Sequence, residues 1–592
     1  MDEQTKNLIL AFALSLAVIM GWFALFPPPE PAPPQTVAES QLLPPAPAEG
    51  AVPTAEPLAE TVRIAIDTPR LVGTIALTGA RFDDLQLRDY RETLDEGADA
   101  VHLLNPTGGA RHPYYAIFGW APTGALGYDA VPGPATPWEQ VGANALTQDS
   151  PVTLRWDNGG GLIFTREITV DADFLLTVTD SVQNTTGASV TLSPYSILAQ
   201  HGEPLDLQGY FISHEGLVQQ TDGILLETDY ADMVDFPVSE IERTPAQEAV
   251  AAQNGWIGFT SKYFMAALVA TPGQPVTTIA QYVPGADIYQ ASLRHAAITV
   301  EPGQNASTQS MLFTGAKEYA TLSAYQDTLG IERFVDAIDW GWFWYLTKPI
   351  FLLLNFYNGL LGNMGWSILL LTLTLKALLL PLAWKSYVSM ARMKELQPEM
   401  QKIKERSGED RQKFQQEMMA LYRDRKVNPA AGCLPILLQI PIFFSLYKVI
   451  FVTIELRHAP WLWVFNDLSA PDPTSIINLF GLLPFEGPVP GSLLATIFLG
   501  ILPLLFGVSM WFQMRLNPMP TDPMQATIFN WMPWIFMFVM GGFASGLLIY
   551  WIGNNIITFV QQYLIMWRHG SKPDIFGNIK ASVARPKGQK GK

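Results

Sequence analysis

The stretch ILLLTLTLKALLLPL, residues 368–382, reads as a membrane-spanning helix but for one residue, Lys376. An ionisable side chain in hydrocarbon is costly, so it faces protein or water and marks a functional cavity. Nine residues separate it from Lys385, where the apolar run gives way to charge. At about 1.5 Å per residue that is roughly 13 Å of helix. A lysine stem reaches only part of that distance, so snorkelling to the lipid surface is no easy escape.

The rest of the chain fits a membrane setting. Of its 592 residues 48% are hydrophobic and only 15% charged. The formal charge of -17 is unevenly spread. Segment 385–430 carries 11 Lys/Arg against 7 Asp/Glu, and segment 568–592 carries 7 against 1. The acidic excess therefore lies elsewhere, mostly before residue 340. Basic segments beside apolar spans and an acidic bulk elsewhere imply two aqueous sides and exclude a nucleic-acid-binding domain with one basic face. The one cysteine, Cys433, forms no internal disulfide and has no metal-ligand cluster around it.

Upstream, residues 1–26 read as a transmembrane anchor. Leu8 to Phe26 is long enough to cross, and the leading MDEQTKN is not basic as a cleaved signal would be. The flank has no Lys or Arg as far as Thr61, so it is readily translocated and the N-terminus is expected inside. Residues 27–60 hold 11 prolines and few aromatics, which predicts an extended linker without a core. Residues 61–335 alternate apolar and polar in runs such as GLIFTREITV and FLLTVTDSV, with turn residues between them. This patterning predicts a large antiparallel β-sandwich domain on the outer side.

Downstream, the aromatic cluster Trp340, Trp342, Trp344 and Tyr345 predicts an interfacial amphipathic helix over 336–360. Five spans follow, near 363–384, 432–454, 493–514, 526–541 and 544–566. The expected architecture is thus an α-helical five-span core: one span in 361–384, a cytoplasmic helical hairpin over 385–430, four spans in 431–567 and a basic cytoplasmic tail over 568–592. In the hairpin Met393, Leu396, Met400 and Ile403 recur at helical spacing, as do Phe414, Met418 and Leu421. Between them SGED breaks the helix, with Ser407 or Asp410 able to cap the second arm.

Polar residues interrupt three spans. Gly365, Leu369, Thr372 and Lys376 share one stripe, and Thr372 is placed to share the water around Lys376. Gln439 interrupts LPILLQIPIF, and Tyr550, Asn554, Thr558, Gln561 and Gln562 line the last span. Such residues either stitch helices together or line a wet cavity. No Asp or Glu lies within the spans to neutralise Lys376, which favours a hydrated groove. Lys448 is expected to snorkel to the outer interface, pairing with Glu455. No catalytic signature appears. His201 and His214 are expected as surface or loop histidines.

The stretch KVNPAAGCLPILLQIPIFFSLYKVI followed by ELRHAPWLWVFNDLSAPDP resembles the YidC/Oxa/Alb membrane-protein insertases. TDPMQ at 521–525, the MPWIFMF run and ASGLLIYWIGNNIITFVQQYLI extend the resemblance. Order, spacing and topology match the Gram-negative YidC form, whose periplasmic domain is similar to sugar-processing supersandwich folds. The resemblance implies a chaperone and insertase of the bacterial inner membrane, working alone or with the Sec translocon. It implies a substrate groove at Lys376, Thr372, Gln439, Tyr550, Trp551 and Asn554, with lysine where the family mostly carries arginine. Lysine keeps the charge but loses the planar bidentate fork. Nascent membrane proteins would be the substrate and the lipid bilayer their destination. The hairpin, through Arg392, Lys394, Lys402 and Arg423, would meet the ribosome and a targeting receptor. Neither cofactor nor enzymatic activity is implied. A secondary transporter would need an inverted repeat, which the five spans lack. A tethered carbohydrate enzyme would need an acid–base pair in the β domain.

Overall fold

The computed structural model describes residues 62–569, apart from residues 96, 125, 206, 208–212, 409, 426, 428–433, 463, 484, 486, 489–491 and 518–522. The predicted anchor, the Pro-rich linker, Cys433 and the basic tail beyond His569 lie outside the described residues.

Period-two alternation builds the first half of the molecule. In Leu162–Val170 the residues Leu162, Phe164, Ile168 and Val170 point inward. The same register forces Arg166 inward as well. It is met by Asp180, directly opposite on Leu175–Asn184, in two bonds of 2.7 and 3.0 Å. Pairing of this kind offsets the cost of burying the charge.

Two antiparallel sheets result. In order of pairing, the first runs through Ala246–Ala251, Val276–Val283, Ile288–His295, Val190–His201 and Tyr114–Thr123. It continues to Arg81–Arg91, Leu71–Ala76 and Arg63–Asp67. The second runs through Ile224–Asp229, Gly216–Thr221, Gly255–Thr260, Phe264–Ala270 and Asn305–Ala316. It ends with Leu175–Asn184, Leu162–Val170, Ser150–Asp157 and Glu139–Thr147. A parallel pairing of Ala65 with Ala145 joins the two. The large antiparallel β domain expected from the alternation is present.

Helices take over after the sheets: α1 (Tyr319–Leu329), α2 (Trp344–Leu361), α3 (Met364–Leu378), α4 (Leu380–Glu395), α5 (Gln397–Ser407) and α6 (Arg411–Asp424). They continue with α7 (Leu434–Val452), α8 (Ile501–Met514), α9 (Pro523–Met540) and α10 (Ser545–Arg568). One hydrophobic core runs from the sheets into the helices. Phe313 packs on Phe334 at 5.2 Å, Trp340 on Phe351 at 5.2 Å, and the cluster continues to Ile368, Leu446 and Leu547.

Three expectations change. The first span is a bent pair: α3 and α4 meet at 67°. Pro381 lacks an N–H and its ring crowds the carbonyl four residues back, so the helix cannot continue straight. The span expected over 493–514 breaks after the single turn Leu493–Ile497 and restarts at Ile501. There Asp472 accepts from Leu502 N at 2.8 Å and Thr474 Oγ1 accepts from Ile501 N at 2.9 Å, which caps α8 in place of a preceding turn. The helix expected from residue 336 begins at Trp344, because Phe334–Ala337 forms a separate 3₁₀ turn tucked into the core. Among the described residues no single helix is long and apolar enough to cross a membrane by itself, though the bent pair passes together.

Candidate functional site

The stripe read along α3 divides into packing and polar parts. Asn363 caps the helix, accepting from Trp366 N at 3.2 Å. A Cβ on Gly365 would lie 2.2 Å from the Trp461 ring, so only glycine lets that ring approach. Leu369 fits the space left by Gly553 of α10 in the same way. Thr372 is buried, and its hydroxyl donates to Ile368 O at 2.7 Å. Its proton is therefore engaged on its own helix rather than directed at Lys376.

Lys376 stands in the last turn of α3, where the negative end of the helix dipole favours a cation. Its Nζ donates to Gln439 Oε1 of α7 at 3.2 Å. Gln439 Nε2 donates in turn to the Tyr550 hydroxyl of α10. Gln561 Nε2 of α10 donates to the Lys376 carbonyl at 3.4 Å. Three helices thus converge on one chain of polar groups. No ion pair reaches Lys376 among the described residues, and neutral dipoles alone hold its charge.

The polar face of α10 points inward. Tyr550, Asn554, Thr558 and Gln562 are all buried. Gln562 Nε2 donates to Asn517 Oδ1 at 2.9 Å. Asn554 Oδ1 and Thr558 Oγ1 are buried with no partner among the described residues, as is Ser445 Oγ on α7. Trp551 turns to the apolar side, its ring 5.2 Å from Phe443 and 6.0 Å from Phe506, with no partner for Nε1 among the described residues. Outside this polar interior α7 exposes Leu437, Ile440 and Phe444.

The hairpin has α4 and α5 as its first arm and α6 as its second. Asp410 is the cap of α6, accepting from Lys413 N at 3.0 Å, whereas the Ser407 hydroxyl is buried and does not cap. Arg406 pairs with Glu417 across the arms, and Arg425 with Glu399 at 2.7 Å. Arg392, Lys402 and Arg423 are exposed, and Lys394 is half-buried.

Lys448 departs from expectation. It is buried, at 8% exposure, and pairs with Asp339 rather than Glu455. The pairing joins residues 109 apart in sequence, so no local pattern announces it. In the β domain, His201 Nε2 lies 3.2 Å from the Tyr115 hydroxyl. His214 Nδ1 lies 3.1 Å from Asp229 and its Nε2 2.8 Å from Leu217 O.

Comparison with known proteins covers nearly all of the chain. Residues 63–353 match the family described as YidC periplasmic domain, and residues 356–572 match the 60Kd inner membrane protein family. The chain is 59% identical to the membrane protein insertase YidC of Dinoroseobacter shibae, with 99% of each covered. It is 57% identical to that of Roseobacter denitrificans, again over 99% of each. It is also similar to an active YidC insertase crystal structure with the first transmembrane domain resolved. That likeness has 17% identity and a TM-score of 0.36, over 85% of this chain and 93% of that one.

Proposed function

The chain belongs to the YidC family of membrane protein insertases, and on that premise we propose that Lys376 is the cationic floor of its substrate groove. It is an inner-membrane insertase with a periplasmic domain. The single observation that carries the groove is the hydrogen-bonded chain Lys376–Gln439–Tyr550, which draws α3, α7 and α10 together around a charge with no carboxylate partner among the described residues.

The physical sequence follows from this arrangement. The ammonium attracts acidic groups on a short segment of a nascent protein bound for the outer side. The oxygens of Ser445, Asn554 and Thr558, without partners among the described residues, offer hydrogen bonds to water or to the passing backbone, which lowers the cost of taking polar groups through hydrocarbon. The apolar segment of the substrate moves along the exposed Leu437, Ile440 and Phe444 into lipid, driven by hydrophobic transfer. A membrane potential positive outside assists acidic groups by about 2.3 kcal/mol per charge per 100 mV. None of these steps calls for a nucleotide or a cofactor.

In this reading the bent α3–α4 pair, α7, the broken segment ending in α8, α9 and α10 form the five-span core, with α2 along the outer interface. The wide exposed apolar surface supports it, since soluble monomers rarely present so much. Both termini and the hairpin then lie in the cytoplasm. The exposed Arg392, Lys402 and Arg423, with Lys394, would engage the ribosome, a targeting receptor and the Sec translocon.

The test replaces Lys376 by Ala, Glu and Arg in cells depleted of the native protein and follows translocation of a short acidic tail. Ala and Glu are expected to lower translocation about tenfold, the loss of roughly 1.4 kcal/mol of attraction. Arg is expected to retain it. Equal translocation by all three variants would remove Lys376 from the mechanism.

A further inference from the structure

The outer end of α7 is held at three points by the β domain and the segment that follows it. Asp339 receives Lys448. Lys262 lies 3.8 Å over the Phe451 ring. Arg457 donates to Arg91 O at 2.6 Å and Glu92 O at 3.2 Å. All three fall within residues 448–457. The groove residue Gln439 sits on the same helix, nine residues before Lys448, or roughly 13 Å along the axis. Between them lies Pro441, whose missing N–H weakens the helix. A proline-weakened helix transmits position poorly unless one end is fixed.

Asp339 is built for such a fixing role. Its Oδ2 accepts from His214 N at 2.9 Å as well as from Lys448, and its Oδ1 accepts from Gly341 N at 2.9 Å. Gly341 has φ +68°, and a Cβ there would lie 3.4 Å from Lys448 Cε, so the turn closes over the lysine stem. Its carboxylate therefore links the β domain, through His214, to α7. Truncating one partner leaves the other buried without its direct ion-pair partner, the costly way to break such a pair.

We propose that Asp339 and Lys448 are a positioning pair for insertion. They hold the outer half of α7 on the β domain so that Gln439 stays between Lys376 and Tyr550 and the Ile440–Phe444 face stays open to substrate. The pair touches no substrate and acts through Gln439 and that face. This proposal rests on the groove reading above.

The experiment uses the full chain in membranes, a stalled nascent membrane protein as probe, and p-benzoylphenylalanine at position 444 on α7 or 373 on α3, both exposed sites. Lys448→Met and Asp339→Asn are expected to cut crosslinking at 444 at least about fivefold while leaving 373 unchanged. The exchange Lys448→Asp with Asp339→Lys is expected to restore it. Equal loss at both sites would assign the pair to general stability and overturn the proposal, as would crosslinking undisturbed at both. Selective loss without rescue by the exchange would also overturn it, since the two residues would then act separately. Absence of crosslinks at both sites in the unmodified chain is a different failure, that of the groove itself, and takes the positioning role with it.

Discussion

Lys376 is tolerable because of where its helix ends. The last turn of α3 has carbonyls without helical partners, and Gln439 adds a neutral acceptor at 3.2 Å. Its charge and its apolar surroundings are legible in the sequence, and so is the polar interruption at Gln439. Their meeting is not, because it depends on how α7 is rotated against α3. Thr372 shows the converse: the spacing aligns it with Lys376, yet its hydroxyl turns back to Ile368 O, as threonine in helices commonly does. A buried histidine makes a separate prediction at this scale. Burial holds the His295 imidazole down at about 4, with Nε2 2.9 Å from Ser310 Oγ. Between the unfolded value near 6.5 and this one the unfolded chain binds the extra proton, so stability falls as pH falls through that window. The full effect is on the order of 3 kcal/mol. Thermal unfolding followed from pH 7 to pH 4.5 is expected to show that slope, and His295→Gln to flatten it.

At the scale of elements, proline and glycine punctuation decides shapes that hydropathy blurs. An apolar run over 368–382 suggests one straight helix, but Pro381 divides it at a 67° bend. The bend places Lys376 at a helix end instead of mid-span and turns α4 toward the hairpin. The hairpin break was readable from SGED, and which residue caps it was decided by geometry: Asp410 reaches Lys413 N and Ser407 faces inward. Asp410→Ala is expected to destabilise α6 by about 1 kcal/mol. Hydrogen exchange should then speed up about fivefold at the Lys413 amide and its neighbours in the first turn, and unchanged rates there would deny the cap its role.

Across the whole molecule, the β domain and the helices share a core, so the connection between them is part of the structure. Ile331, Phe334, Val335, Ile338 and Trp340 are buried in it, and the Trp340 indole donates to Val335 O at 3.2 Å. Trypsin added from the outer side is therefore expected to leave the Arg333–Phe334 bond intact, although the Arg333 side chain is 40% exposed. Trp340→Ala removes contacts to Phe351 and Tyr319, a large-to-small change worth about 3–5 kcal/mol. It is expected to open that bond to cleavage, seen as a pair of fragments by mass spectrometry. Cleavage of the unmodified chain at the same rate would mean that the connection is loose.

The order of parts is written in the chain itself: an alternating β half, an apolar helical half, a charged hairpin and a lone cation in an apolar run. These follow from short-range periodicity and composition, which each segment carries alone. Which polar groups meet depends on the packed fold. Gln439 bridges Lys376 and Tyr550, and Lys448 turns from its neighbour Glu455 to Asp339, 109 residues away. Such pairings depend on helix rotation, bends and close approach at glycines, which are set when the whole core packs and leave no mark at local spacing.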